Sequence, residues 1–140
     1  MTILLVEDNV AEARLTREAL TETGVRHELF VVGDGEEATR FLHKSSGYEN
    51  APRPHVILLD LNLPRKHGFE VLAEIKADPL LRRIPVVVLS NSQAREDIDE
   101  VYRLSGNSYV GKSGDVEEFF ATVKSMAEFW MERAELPSNS

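Results

Sequence analysis

The fold of this chain is decided by one stretch, His55-Val-Ile-Leu-Leu-Asp-Leu-Asn-Leu-Pro64. Residues 56–59 form a continuous apolar run without the polar alternation of a half-exposed strand. Such a run is typical of a parallel strand that helices cover on both faces. The run ends at Asp60, which would lie at the carboxyl end of the strand, where open α/β sheets place their ligands. A lone aspartate in this place is usually only a turn or cap residue, so its meaning depends on the other strand ends.

Further apolar segments alternate with helical patterns on both sides of this stretch. The other strands are predicted over residues 2–6, 27–32, 84–89 and 108–111. Helices are predicted over residues 10–23, 36–44, about 69–78, about 94–104 and about 115–134. Five strands alternating with five helices predict a parallel sheet of order 2-1-3-4-5 with helices on both faces, a three-layer α/β/α sandwich.

Length and composition indicate one globular domain. The 140 residues suit a single core, which we place in residues 1–136, followed by a polar, frayed end at 137–140. No apolar run is long enough for a membrane span, no signal peptide precedes the first strand, and the chain has no cysteine. We therefore expect a cytoplasmic protein without a membrane partner. The net charge of −8 also argues against a nucleic-acid partner, which would require a basic face.

Ionisable or hydroxyl side chains follow four of the five predicted strands. They are Glu7 and Asp8, Asp60, Ser90, and Lys112. In a sheet of order 2-1-3-4-5 the first and third strands are neighbours, so their three carboxylates should converge. Crowded carboxylates repel each other unless a cation lies among them, and a set of oxygen ligands favours Mg²⁺.

The same residues predict a phosphoryl-acceptor site. With Mg²⁺ bound, Asp60 stays ionised and its free oxygen can act as a nucleophile. Lys112 supplies a positive charge and Ser90 a hydroxyl donor for phosphoryl oxygens. Each group comes from a different strand end, so the combination is far more specific than any one of them.

In these residues the sequence resembles the response-regulator receiver domains of two-component signalling, over essentially the whole chain. The resemblance implies a metal pair at Glu7 and Asp8, a phosphoacceptor at Asp60, a backbone-carbonyl metal ligand at Asn62, a switch hydroxyl at Ser90, a rotating aromatic at Tyr109 and the family's lysine at Lys112. It also implies that the chain is not an enzyme, beyond slow loss of its own phosphoryl group.

Two features resemble a narrower group, the stand-alone regulators paired with phytochrome-type histidine kinases. One is the long loop at residues 45–54, and the other is Leu59-Asp-Leu-Asn-Leu-Pro-Arg-Lys-His-Gly68. This resemblance implies a single-domain response regulator that accepts a phosphoryl group from the histidine of a sensor kinase. Since no output domain is visible, its effect must pass through protein contacts.

Two other functional classes fit parts of the pattern. A Mg²⁺-dependent phosphatase with an aspartyl-phosphate intermediate usually carries a second aspartate two residues after the nucleophile, but that position here is Asn62. A flavodoxin-like cofactor binder would need a phosphate-binding loop after the first strand, where Glu7 and Asp8 would repel phosphate. Turnover of a generic phosphate ester would favour the first class, and a visible chromophore the second.

One position departs from the receiver pattern. Most receivers have a proline after the lysine, joined by a cis peptide bond, whereas this chain has Ser113 after Lys112. Because a cis bond before a non-proline residue costs about 2.5–4 kcal/mol, we expect a trans bond and a looser lysine loop. Ser113→Pro is then expected to lengthen the lifetime of the phosphorylated form.

The last predicted helix suggests a homodimer. Its 20 or so residues would span about 30 Å, whereas a five-residue strand spans about 17 Å. The helix should therefore overhang the sheet and expose Met126, Phe129, Trp130 and Met131. Exposed apolar patches of this kind usually mark an interface, and symmetric dimers are the commonest assembly.

Overall fold

The computed structural model of the chain describes residues 1–112 and 115–137. Five parallel strands form one sheet of order β2-β1-β3-β4-β5. Their bounds are β1 Thr2–Val6, β2 Glu28–Val32, β3 Val56–Asp60, β4 Val86–Ser90 and β5 Ser108–Gly111. The predicted sheet order is therefore confirmed.

Five α-helices connect and follow the strands. Their bounds are α1 Val10–Glu22, α2 Gly35–His43, α3 Gly68–Ala77, α4 Arg95–Arg103 and α5 Val116–Glu128. A π-helical turn, Phe129–Arg133, continues directly from α5. The predicted elements are all present, with most boundaries within two residues. The largest strand shift is in β4, which begins at Val86 rather than Ile84, after Pro85, a residue with no N–H to donate.

The sheet separates two apolar cores. One face packs against α2, α3 and α4, and the other packs against α1 and α5. All five residues of β3 are buried, as expected for a strand covered on both faces. The three-layer α/β/α sandwich predicted from the continuous apolar run is therefore confirmed.

Side-chain caps fix the helix starts that border the carboxyl edge of the sheet. Asn9 Oδ1 accepts the Glu12 N–H at 3.0 Å and so begins α1 only three residues after β1 ends. Asp34 Oδ1 accepts the Glu37 N–H at 2.7 Å at the start of α2. Because α1 starts so soon after β1, Glu7 and Asp8 are held directly above the sheet edge.

The expected exposure at the end of α5 is wrong for Met126 and is only partly met by Trp130 and Met131. Met126 is only 8% exposed, and Trp130 and Met131 are partly buried against the core shared with α1. Met126 and Trp130 continue the core-facing stripe of Phe119 and Val123, at helical spacings of seven and eleven residues from Phe119. The π turn, closed by the Ala134 N–H on the Phe129 carbonyl at 2.8 Å, follows this stripe.

Phe129 alone of the four predicted interface residues is well exposed, with 52% of its surface accessible. Its ring makes an edge contact with Trp130, at 5.5 Å between ring centroids. The aromatic surface at this end of the chain is therefore much smaller than the sequence pattern indicates.

Two expectations from the sequence fall outside the described residues. The bond between Lys112 and Ser113 is one, and the frayed end is the other, apart from Pro137. Within residues 1–112 and 115–137, no helix combines the length and the apolar character that crossing a membrane requires.

Candidate functional site

The carboxyl edge of the sheet collects the side chains that the sequence singled out. Asp60 and Ser90 are the last residues of β3 and β4, and Lys112 follows β5. The Lys112 N–H donates to the Ser90 carbonyl at 2.7 Å, which joins these two strand ends. Glu7 follows β1, and its N–H donates to the Val32 carbonyl at the end of β2 at 3.0 Å.

Three carboxylates form a compact acidic group at this edge. Each of Glu7, Asp8 and Asp60 offers one oxygen that lies within 4.8 Å of the other two. Glu7 and Asp60 are buried, and Asp8 is exposed, so the group opens to solvent on the Asp8 side. An all-oxygen donor set of this kind fits a hard divalent cation such as Mg²⁺.

Lys112 lies at the centre of the negative charge. Its ammonium is 2.8 Å from Glu7 Oε1, 2.9 Å from Glu12 Oε2 and 3.6 Å from Asp60 Oδ1. Burial by itself would lower the pKa of Lys112, but the hydrogen bonds to Glu7 and Glu12 and the charge of Asp60 outweigh it and raise that pKa. Lys112 is therefore a fixed positive charge beside the predicted phosphoacceptor.

For Glu7, burial has a larger effect on the pKa than the hydrogen bond to Lys112 does. Burial raises the pKa of Glu7 to about 7, although the Lys112 hydrogen bond acts to lower it. The nearby Asp60 carboxylate also acts to raise it. One ammonium faces four carboxylates here, counting Asp8, so the site carries excess negative charge that a bound cation would compensate.

Glu12 belongs to this site, although the sequence did not single it out. The spacing Asn9-x-x-Glu12 is that of a capping box, in which the glutamate would turn back to the Asn9 N–H. In the structure that N–H donates to Glu7 Oε2 at 3.2 Å, and the Glu12 carboxylate accepts from Lys112. The capping signal identifies the helix start, but only the position of Lys112, 100 residues away, reveals the second role.

Ser90 and Tyr109 both contact the loop that follows β4. Ser90 is fully buried, and its Oγ accepts the Ser92 N–H at 3.1 Å. The Tyr109 hydroxyl donates to the Ser92 carbonyl at 2.6 Å, and its half-buried ring packs against the core. The two predicted switch residues are thus joined through Ser92.

The backbone of Asp60 and Leu61 is tightly packed against Gly68. A Cβ on Gly68 would lie 2.5 Å from Leu61 Cα and 2.6 Å from the Asp60 carbonyl oxygen, so no larger residue fits there without a shift. Asn62 is exposed, and its N–H is 3.4 Å from Asp60 Oδ1. The use of the Asn62 carbonyl as a metal ligand remains a prediction.

Comparison with known proteins agrees with this geometry. Residues 3–124 match the response regulator receiver domain family. The chain is 48% identical over 136 residues to response regulator Rcp1 of Synechocystis sp., covering 97% of this chain and 92% of that protein.

Two solved structures have nearly the same fold. The Mn²⁺-bound form of response regulator Rcp1 has a TM-score of 0.95 at 48% identity, covering 98% of this chain and 99% of that chain. The phosphorylated cyanobacterial phytochrome response regulator RcpA has a TM-score of 0.94 at 53% identity, covering 98% of each chain. With its sequence, fold and strand-end residues in agreement, the chain belongs to the family of response regulator receiver domains.

Proposed function

We propose that this receiver accepts a phosphoryl group on Asp60 from the phosphohistidine of a sensor kinase, and that the kinase is of the phytochrome type. The observation that carries the proposal is the convergence of Glu7, Asp8 and Lys112 on Asp60 at one sheet edge. The phytochrome pairing is supported by the similarity to RcpA, a phytochrome response regulator.

The proposed metal is Mg²⁺, held by carboxylate oxygens of Glu7, Asp8 and Asp60 and by the carbonyl of Asn62. The similarity to the Mn²⁺-bound Rcp1 structure supports a divalent cation here. When bound, the cation would neutralise charge on the carboxylates and on the phosphoryl oxygens.

In the proposed transfer a carboxylate oxygen of Asp60 attacks phosphorus. An O–P bond forms as the N–P bond to the kinase histidine breaks, and the electron pair of that bond leaves with the imidazole. Lys112, 3.6 Å from Asp60 Oδ1, is placed to stabilise negative charge on the phosphoryl oxygens. Ser90, at the neighbouring strand end, would donate a hydrogen bond from its hydroxyl group to a phosphoryl oxygen.

Acetyl phosphate provides a direct test of this proposal. With Mg²⁺ present, intact mass should show one added phosphoryl group, and chelation of the metal should prevent it. Asp60→Asn should not be labelled, whereas Asp99→Asn, which removes a carboxylate from the exposed face of α4, should be labelled normally. Labelling that persists in Asp60→Asn would refute the assignment of Asp60.

The rival phosphatase function has its own measurable consequence. A phosphatase would turn over a generic phosphate ester many times per protein molecule. A receiver should instead stop at one phosphoryl group per chain with acetyl phosphate, followed by slow loss. Steady release of product from the generic ester would favour the phosphatase.

We further propose that phosphorylation changes the surface formed by α4, β5 and α5. If Ser90 bonds a phosphoryl oxygen, the loop after β4 moves toward Asp60, and Tyr109 must exchange its 2.6 Å bond to the Ser92 carbonyl. Hydrogen exchange of phosphorylated and free protein should then differ most in these three elements. Differences confined to α1 and α2 would contradict the mechanism.

We propose that this chain acts in the cytoplasm, where its partners are a sensor histidine kinase and a second copy of the chain. Phosphotransfer profiling against the kinases of the source organism would identify the kinase. The homodimer now depends chiefly on Phe129, since Met126 is buried and Trp130 and Met131 are partly buried against the chain's own core. Sedimentation at micromolar concentration should show dimer for the wild type and monomer for Phe129→Ala, and a monomeric wild type in both phosphorylation states would exclude it.

A further inference from the structure

Glu12 stands out because it binds the site lysine from outside the predicted set of functional residues. Its carboxylate accepts from Lys112 Nζ at 2.9 Å, close to the 2.8 Å of the Glu7 contact. Glu12 lies in the first turn of α1, whereas Glu7 precedes that helix. The two glutamates therefore hold the same ammonium from two different elements.

The hydrogen-bonding capacity of Lys112 limits how many partners it can keep. An ammonium has three N–H donors. Two are used by Glu7 and Glu12, and the 3.6 Å separation from Asp60 Oδ1 is too long for a third full hydrogen bond. The third N–H is left for a phosphoryl group on Asp60. If the ammonium shifts toward that group or binds a second phosphoryl oxygen, it must lengthen or break at least one of its two existing bonds.

The two glutamates differ in how easily they can be released. The Glu7 side chain is 2% exposed and also accepts the Asn9 N–H, so freeing it would leave a buried carboxyl group without its lysine partner. The Glu12 side chain is 27% exposed and can return to water at little cost. A dianionic phosphoryl group would also repel Glu12, which adds to the tendency to separate.

We propose that Glu12 is a positioning residue that holds Lys112 in the unphosphorylated protein and competes with the phosphoryl group for it. Glu12 thereby stabilises the free state and limits occupancy of the phosphorylated state. The proposal rests on Asp60 being the phosphoacceptor, and it adds a residue that tunes this reaction.

Glu12→Gln tests the proposal because it removes the charge and keeps a similar shape. At saturating Mg²⁺, the variant should bind beryllofluoride, a phosphoryl mimic, about three to ten times more tightly than the wild type, the range for loss of one partly exposed ion pair. Glu18→Gln is the matched control, since it removes the same charge from an exposed position of α1 and should leave the dissociation constant within about twofold.

A second measurement examines the metal-free protein. The Lys112 ammonium resonance in ¹⁵N-lysine-labelled protein should shift in Glu12→Gln and stay in place in Glu18→Gln. If Glu12→Gln does not fold, Glu12→Asp is the alternative variant, because it retains the charge but shortens the side chain. Its dissociation constant for beryllofluoride should be lower than that of the wild type by less than threefold.

The outcomes separate this inference from the proposed function. Binding by Glu12→Gln that equals or falls below that of Glu18→Gln would overturn the competition, even if wild-type protein binds beryllofluoride and Asp60→Asn does not. Failure of the wild type itself to bind beryllofluoride would instead refute the phosphoacceptor site.

Discussion

Two lysines lie at opposite ends of the sheet, and their surroundings shift their pKa values in opposite directions. At the carboxyl edge, carboxylates raise the pKa of Lys112 despite its burial. At the amino edge, Lys76 of α3 donates to the Arg82 carbonyl at 3.0 Å, the Ile84 carbonyl at 2.8 Å and Asn107 Oδ1 at 3.1 Å. All three acceptors are neutral, and burial lowers the pKa of Lys76 to about 8.

The difference shows how the same side chain serves two purposes. Lys76 is satisfied by neutral oxygens and ties the end of α3 to the segments before β4 and β5. Lys112 is outnumbered by carboxylates, so its region keeps an excess of negative charge that a cation can compensate. The charge of the hydrogen-bond partners therefore determines the difference between the two lysines. Neutral partners suit the structural contact, or clasp, of Lys76, and carboxylate partners suit the proposed phosphoryl-acceptor site at Lys112.

The largest effect should come from removing each lysine in turn. Lys112→Met should weaken beryllofluoride binding at saturating Mg²⁺ by about 100-fold, as is typical for loss of one donor to a developing anion. Lys76→Met should leave that dissociation constant within about twofold, because its contacts lie at the other end of the sheet. Isothermal titration of both variants provides the measurement, and equal weakening would break the contrast between the two ends.

A smaller effect is expected for the amide that completes the Lys76 clasp. Asn107 Oδ1 accepts both from Lys76 and from the Val86 N–H at 2.8 Å. Asn107→Ala leaves both donors without this acceptor, so the free energy of unfolding should fall by about 2 kcal/mol. Asn50→Ala, in an exposed loop, should change it by less than about 0.5 kcal/mol. Urea unfolding measures both, and equal values would show that the clasp contributes nothing.

The smallest expected effect is a difference in pH dependence. Since the pKa of Lys76 falls from about 10.5 to about 8 on folding, the unfolded chain binds more protons between these values. The contribution of Lys76 to stability should therefore rise with pH from 8 toward 10.5 and be lost as pH falls through 8. The stability difference between wild type and Lys76→Met should grow in favour of the wild type by on the order of 1 kcal/mol from pH 8 to pH 10.

Lys112 provides the contrast of sign for this experiment. Its pKa is raised in the folded protein, so its stabilising effect is present below its ordinary pKa and declines as pH rises through the folded value. Unfolding of metal-free protein followed over the same pH range should show no growing advantage of wild type over Lys112→Met. A pH trend of the same sign in both variants would contradict the assignment of opposite shifts.

Much of the fold and part of the site could be predicted because local pattern and topology agree. The apolar run that ends at Asp60 indicates a buried parallel strand, and strand order then places Glu7 and Asp8 beside it. The helix starts depend on local contacts, since Asn9 and Asp34 each cap an N–H three residues later.

The parts that could not be predicted depend on contacts between distant residues. Glu12 has the sequence pattern of a cap, and its contact with Lys112 depends on where α1 lies relative to β5. The exposure of the end of α5 could not be predicted from strand length. The π turn places Trp130 and Met131 partly against the core, and the sequence pattern does not indicate this turn. Lys76 reads in the sequence as an ordinary charged residue of a helix. Its acceptors, the Ile84 carbonyl and Asn107 Oδ1, belong to other segments, so the pattern around Lys76 does not indicate them.

The tight packing of Gly68 against the Asp60 backbone bears on how a phosphoryl group on Asp60 would displace its surroundings. The loop that connects β3 to α3 is also anchored by Lys66, whose Nζ is 2.8 Å from Glu74 of α3. When a phosphoryl group adds volume beside Asp60, we expect this packed backbone to resist displacement. The loop after β4 makes hydrogen bonds at Ser92 to Ser90 and Tyr109, and such bonds can exchange without compressing a packed core. We therefore expect phosphorylation of Asp60 to displace α4 and β5 more readily than the start of α3, and a partner would then find that surface altered.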